Sequence, residues 1–300
     1  MNGPLRSDRL KIADGRHVGF AVWGDTDPAS PAVVHCHGTP GGRLVGHAAS
    51  YDSGFRHVAL DRPGFGLSDP LPTRTVGDHV GDVAQVLDHL GMDRFSVFGW
   101  SGGGPHALGL GALLPDRVAR VAVLGCPAPD GDPDFDVTAG MAEINFESHR
   151  MLIENPEEDR LEVDKAVAVF LDDPETFIGQ IDAIVDPVDV AAARAMNLRP
   201  QMVIQLRDAF QNGSEGWFED DMVTVRPWGF ALEDVGVEVW LWHGELDRLV
   251  AVSHGRYLAG KMPRCTGLFL PDDGHMSPLA RLPEILDWLA QPLLERAATN

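Results

Sequence analysis

A short apolar run, Phe95–Phe98, passes straight into Gly99-Trp100-Ser101-Gly102-Gly103, and a small-residue stretch of helical character follows. A strand, a glycine-rich turn and a helix in that order constrain most of what the rest of the chain can be. The glycines allow a sharp turn from strand to helix, and the turn lifts the Ser101 hydroxyl above the sheet. The pattern G-x-S-x-G is weak by itself in a chain with 33 glycines; its place at a strand end gives it weight. The bland reading is a glycine-rich turn with an incidental serine.

The same texture recurs along the chain. Leu10–Ala13, an Asp14-Gly15 turn and Val18–Val22 read as an opening hairpin. Ala32–Cys36 and Val58–Leu60 read as buried strands that end in His37-Gly38 and Asp61-Arg62-Pro63-Gly64. Val83, Val86, Leu87 and Leu90 fall at helical spacing, with Gly91 as a stop. Val118–Leu124, Val237–Trp242 and Gly267–Leu270 are further strands, and Leu282–Leu294 is a closing amphipathic helix. Strands separated by helices predict an α/β fold: a mostly parallel sheet covered on both faces. Ligands of such sheets bind beyond the carboxyl ends of the strands. His37, Ser101, Asp247 and His275 all sit at such ends.

A serine hydroxyl needs a base to take its proton, and the base needs an acid to hold its tautomer. In this strand order they are expected as Ser, then Asp, then His. Asp247 follows the strand ending at Trp242-His243, and His275 follows the next strand through Asp272-Asp273-Gly274. His243 is the rival base, but it sits in the strand end itself, which suits a structural role. Glu245 is the rival acid. A tetrahedral intermediate also needs two N–H donors. Gly102, after the nucleophile, supplies one; Thr39, in the loop His37-Gly38-Thr39-Pro40-Gly41-Gly42, is the candidate for the other. That loop can also be read as a flexible surface turn.

Composition excludes several classes. The formal charge is −21, which argues against a nucleic-acid binder. No apolar run approaches the roughly 18 residues that span a bilayer. The N-terminal stretch has no apolar core, and Cys36, Cys126 and Cys265 are an odd count without a CxxC pair. Both point to reduced thiols and a cytoplasmic location. No histidine–carboxylate spacing resembles a closed metal site, so no metal or other cofactor is expected. The charge is unevenly placed: residues 130–234 hold 25 acidic and 7 basic side chains, a net of −18. That segment, rich in Asp-Pro turns between short helical runs, reads as an insertion with its own character.

Taken together, HGTPGG at 37–42, DRPGFGLS at 61–68, GWSGG at 99–103, GELDRLV at 244–250 and DGHMSP at 273–278 resemble, in family order, an α/β-hydrolase with a helical lid. The resemblance covers the core, 1–128 and 236–300, and is weak over 129–235, the lid. It implies a Ser101–His275–Asp247 hydrolase that works through an acyl-enzyme on a small molecule. Relatives that open epoxides or displace halide carry aspartate where this chain has Ser101, and the epoxide-opening ones use lid tyrosines. Here the only tyrosines are Tyr51 and Tyr257, both outside the lid.

The leading expectation is a hydrolase of a small, largely apolar carboxylic ester or lactone. A proline-iminopeptidase-like activity is the alternative, since HGTPG resembles that class's loop, although GWSGGG lacks its fuller elbow pattern. A cofactor-free peroxidase-type relative and a non-catalytic ligand receptor stay open. The lid is expected to roof an apolar pocket over Ser101. Trp100 and Met276 beside the triad, and Phe146, Trp217 and Trp228 in the lid, are the candidate pocket residues. The lid's acidic faces are read as solvated surface.

Overall fold

The parallel sheet accounts for the continuous apolar runs. The structure, a computed structural model, describes residues 4–45 and 54–297; Tyr51 lies outside the described residues. Its strands are β1 (Arg6–Lys11), β2 (His17–Gly24), β3 (Ala32–Cys36), β4 (Arg56–Leu60), β5 (Phe95–Trp100), β6 (Val118–Leu124), β7 (Glu238–Gly244) and β8 (Cys265–Leu270). They form one sheet in the order β1-β2-β4-β3-β5-β6-β7-β8. β2 is antiparallel to both its neighbours, and every pair from β4 through β8 is parallel. β1 starts four residues before the expected Leu10. Its side chains are almost all exposed, so it has no apolar alternation to read; only its ladder with β2 makes it a strand.

Successive residues of the central strands serve opposite faces. Val34, Val97, Val121 and Val123 join one cluster with helices α1 (Val76–His89) and α2 (Gly104–Leu113), through Val83, Leu87 and Leu108. Val33, Phe98, Ala122 and Leu124 join a second cluster with α10 (Leu282–Ala297), through Leu282, Ile285, Leu286 and Leu289. Helix α1 begins where Asp78 accepts the Thr75 N–H at 2.7 Å, one half of a capping box. Between β7 and β8 runs α9 (Val252–Lys261).

Between β6 and β7 the chain makes six helices: α3 (Glu143–Glu154), α4 (Pro156–Asp172), α5 (Pro174–Ile184), α6 (Pro187–Ala195), α7 (Leu198–Ala209) and α8 (Glu215–Thr224). The Asp-Pro pairs begin two of them. Asp173 and Asp186 cap α5 and α6, accepting from Glu175 N–H and Val188 N–H, and the prolines take the first helical position. The inserted helices have a core of their own: Val167, Phe170, Phe177, Leu206 and Phe210 pack together with Phe65 from the sheet's loops. Among the described residues no helix is long and apolar enough to cross a membrane.

Candidate active site

β5 ends at Trp100 in extended conformation, and Ser101 then turns left-handed, with φ +54°. A residue with a Cβ holds such a φ at a cost of about 1–3 kcal/mol, so the surroundings must enforce it. Gly103 provides the space: a Cβ there would lie 2.1 Å from the Cys36 carbonyl oxygen at the end of β3. The chain can therefore fold back into α2 directly beneath the serine.

His275 follows β8, and its Nδ1 lies 2.7 Å from Asp247 Oδ2. The other oxygen of Asp247 accepts the N–H groups of Leu249 and Val250, both at 2.9 Å. His243 sits under this pair, 3.5 Å from Asp247, with its Nε2 against the Val250 carbonyl at 2.9 Å. It braces the acid. Glu245 points away to a surface pair with Arg256. Burial alone would lower the His275 pKa, but the charge and hydrogen bond of Asp247 outweigh it, and the pKa is raised above that of a free imidazole.

Thr39 and Gly102 face each other: a Cβ on Gly102 would lie 3.3 Å from Thr39 N. The Thr39 hydroxyl points inward. It donates to Asp220 Oδ2 at 2.7 Å and accepts from Arg62 Nη2 at 3.0 Å, so its backbone N–H is the group available to an oxyanion. Arg62 is fully buried; it also donates to the carbonyls of His37 and Gly38 and forms an ion pair with Asp220. Arg74 completes the cluster on Asp220. Burial works against the Asp220 carboxylate, but the two guanidinium charges override it and hold its pKa far below the usual range. Asp220 belongs to α8, so the insertion holds the loop that carries Thr39.

Ser101 and His275 open onto one cavity of about 160 Å³. Trp100 and Met276 line it. Trp100 also donates from its indole to the His275 carbonyl at 3.3 Å. The three aromatics expected from the insertion do not line it. Phe146 is 42% exposed on α3. Trp217 stacks on Phe210 and meets Phe177 edge-on, in the helices' own core. Trp228 packs in the main core beside Phe230. Aromatic character does not set the direction in which a ring points. The insertion's contribution comes instead from Phe177, Ile178 and Ile181 on α5 and Met202 and Leu206 on α7. Polar groups there are the ion pair Asp182–Arg199 with Gln201 and Gln205. Among the described residues no group of three or more His, Cys, Asp or Glu side chains has metal-holding geometry.

A sequence-family profile described as the alpha/beta hydrolase fold matches residues 31–147. An esterase structure from Rhodococcus superposes with a TM-score of 0.65 at 20% identity, covering 96% of this chain and 98% of that one. The chain has the α/β-hydrolase fold. At that identity the superposition speaks to fold alone. Among curated relatives, a putative proline iminopeptidase of Mycoplasma pneumoniae is 33% identical over 123 residues. A haloalkane dehalogenase of Psychrobacter cryohalolentis is 41% identical over 86 residues, 28% of each chain. The match to the iminopeptidase spans 39% of each chain, so the hydrolase fold is shared with relatives of which this chain matches well under half the length.

Arg62 and Arg74 depend on one carboxylate of this hydrolase fold. Asp220→Ala leaves both buried and unpaired, and removing one partner of such a cluster costs about 3–5 kcal/mol. Chemical denaturation of the variant checks this; unchanged stability would contradict the network.

Proposed function

We propose that the protein is a serine hydrolase of small, largely apolar carboxylic esters or lactones, with residues 129–235 acting as its lid. The observation that carries the reading is Ser101, on a left-handed elbow, sharing a cavity with a His275 already paired to Asp247. With Nδ1–H engaged by Asp247, the other ring nitrogen is the acceptor for the Ser101 proton. Ser101 Oγ then attacks the ester carbonyl, and the oxyanion takes hydrogen bonds from the N–H groups of Gly102 and Thr39. His275 returns the proton to the leaving alcohol, and water repeats the sequence on the acyl-enzyme.

The nucleophile argues against halide displacement. A carboxylate attacking an alkyl halide leaves an ester that water can cleave, whereas a serine would leave an inert ether. The iminopeptidase reading is favoured by the HGTPG loop and by the iminopeptidase relatives. A free amine, however, needs an unpaired acid beside it, and the acid lining this cavity, Asp182, is paired with Arg199. The volume suits a small group: about 160 Å³ here, against about 150 Å³ for a protein cavity that takes benzene.

A fluorophosphonate should label Ser101, and Ser101→Ala should lose at least about 10³-fold in kcat on short p-nitrophenyl esters with the fold intact. Proline-naphthylamide should not be turned over; amide turnover in preference to ester would replace this reading with the iminopeptidase one.

Asp247→Asn should lower kcat by about 10⁴-fold, while Glu245→Gln stays near wild type. The acid limb of the wild-type pH–rate profile should lie above that of a free imidazole, because His275 must be neutral to act and its pKa is raised. A full pH profile of each variant is the check.

Phe177→Ala should shift preference toward longer acyl chains, because it enlarges the cavity, and Phe146→Ala should not. An ester chain-length series on both variants measures this.

A further inference from the structure

The His275 loop is held by a residue outside the triad. Asp189, in the first turn of α6, is fully buried and points its carboxylate at the backbone just after β8. Oδ2 accepts the His275 N–H at 2.9 Å, and Oδ1 accepts those of Met276 and Ser277 at 2.7 and 2.9 Å. These donors begin the short 3₁₀ turn Ser277–Arg281, and helical N-termini leave such N–H groups without partners in their own turn. The insertion thus supplies the cap for a turn of the core. On its other side the His275 carbonyl takes the Trp100 indole, so the His275 backbone is gripped from both directions.

We propose that Asp189 is a positioning residue for the general base: through three backbone hydrogen bonds the docked insertion fixes where the His275 imidazole stands. The proposal rests on the serine-hydrolase reading above. The titratable groups around His275 are Asp247 from the loop after β7, His243 at the end of β7 beneath Asp247, and Asp189 from α6; Ser101 lines the same cavity. Of these, Asp247 and Asp189 both raise the His275 pKa, and Asp247, in direct contact, acts more strongly. Gly274 shows how closely the carboxylate is fitted. A Cβ at that position would fall 2.2 Å from Asp189 Oδ2, so any larger residue must displace the carboxylate or the loop.

Two variants separate position from charge. Asp189→Asn removes the charge and one acceptor; Gly274→Ala forces the carboxylate and the loop apart but keeps the charge. The measurement is the rate at which a fluorophosphonate labels Ser101 between about pH 5 and 9, beside kcat and KM for a short p-nitrophenyl ester. Both variants should label about 10- to 100-fold more slowly at the plateau, with the loss in kcat larger than any change in KM. The acid limb should move to lower pH in Asp189→Asn and stay in place in Gly274→Ala. Wild-type rates in either variant, or a slowed Asp189→Asn with an unmoved limb, would overturn the proposal. If Asp189→Asn does not fold, as judged by its thermal melt, Gly274→Ala alone decides whether the carboxylate's placement matters. Failure of the wild-type protein to label at Ser101 is a different result: it removes the serine-hydrolase reading and this proposal with it.

Discussion

Arg62 has no contact with water, so all its donors must be satisfied inside the protein. Its partners come from two places far apart in the chain. The carbonyls of His37 and Gly38 belong to the loop after β3, and Asp220 belongs to α8, 158 residues beyond Arg62. Neither set would serve alone: the carbonyls cannot neutralise a guanidinium, and Asp220 could not stay ionised in the interior without Arg62 and Arg74. The insertion and the sheet are therefore interdependent at this point. The loop they share presents Thr39 opposite Gly102.

The same device recurs twice. Arg43, at the end of that loop, is held by Asp61 of the core and by Asp208 of α7. The His275 loop is held by Asp189 of α6. Three acids of the insertion thus meet three segments around the serine, through guanidinium groups in two cases and backbone N–H groups in the third. The strong negative charge of residues 130–234 is consequently of two kinds. Most of it faces water, as on α4, where Glu157 and Glu158 are at least partly exposed. A minority is buried or partly buried and fixes the insertion to the sheet. Apolar contact supplements these ties: Phe65 enters the insertion's own core, and Gly64 and Gly216 lie so close that a Cβ on Gly64 would meet Gly216 Cα at 2.8 Å.

Much of the site was legible because each of its parts has a local requirement. The elbow needs glycine beside Ser101, the acid and base need positions just past strand ends, and parallel strands buried on both faces need unbroken apolar runs. Ser101, Thr39, Gly102, Asp247 and His275 were named as candidates in this way, and the structure sets Asp247, not Glu245, against His275. Trp100 and Met276 were placed at the cavity because they adjoin residues whose own positions were fixed. Phe146, Trp217 and Trp228 do not line it, because a ring's presence in the insertion does not tell which way it points: Phe146 faces water and the other two pack in cores.

The sequence by itself determined the order of the strands along the chain and the elbow after β5, since these follow from neighbouring residues and from the backbone conformations they permit. The tertiary structure alone decided which acids turn inward: Asp189 and Asp220 are buried and Asp208 is partly so. In sequence they are indistinguishable from the solvated acids around them, and no spacing sets them apart. What distinguishes each is a donor group brought opposite it by the fold, from 86 residues away for Asp189 and 165 for Asp208. A carboxylate's cost of burial depends on that partner, and a partner at such a distance along the chain exists only once the insertion has docked.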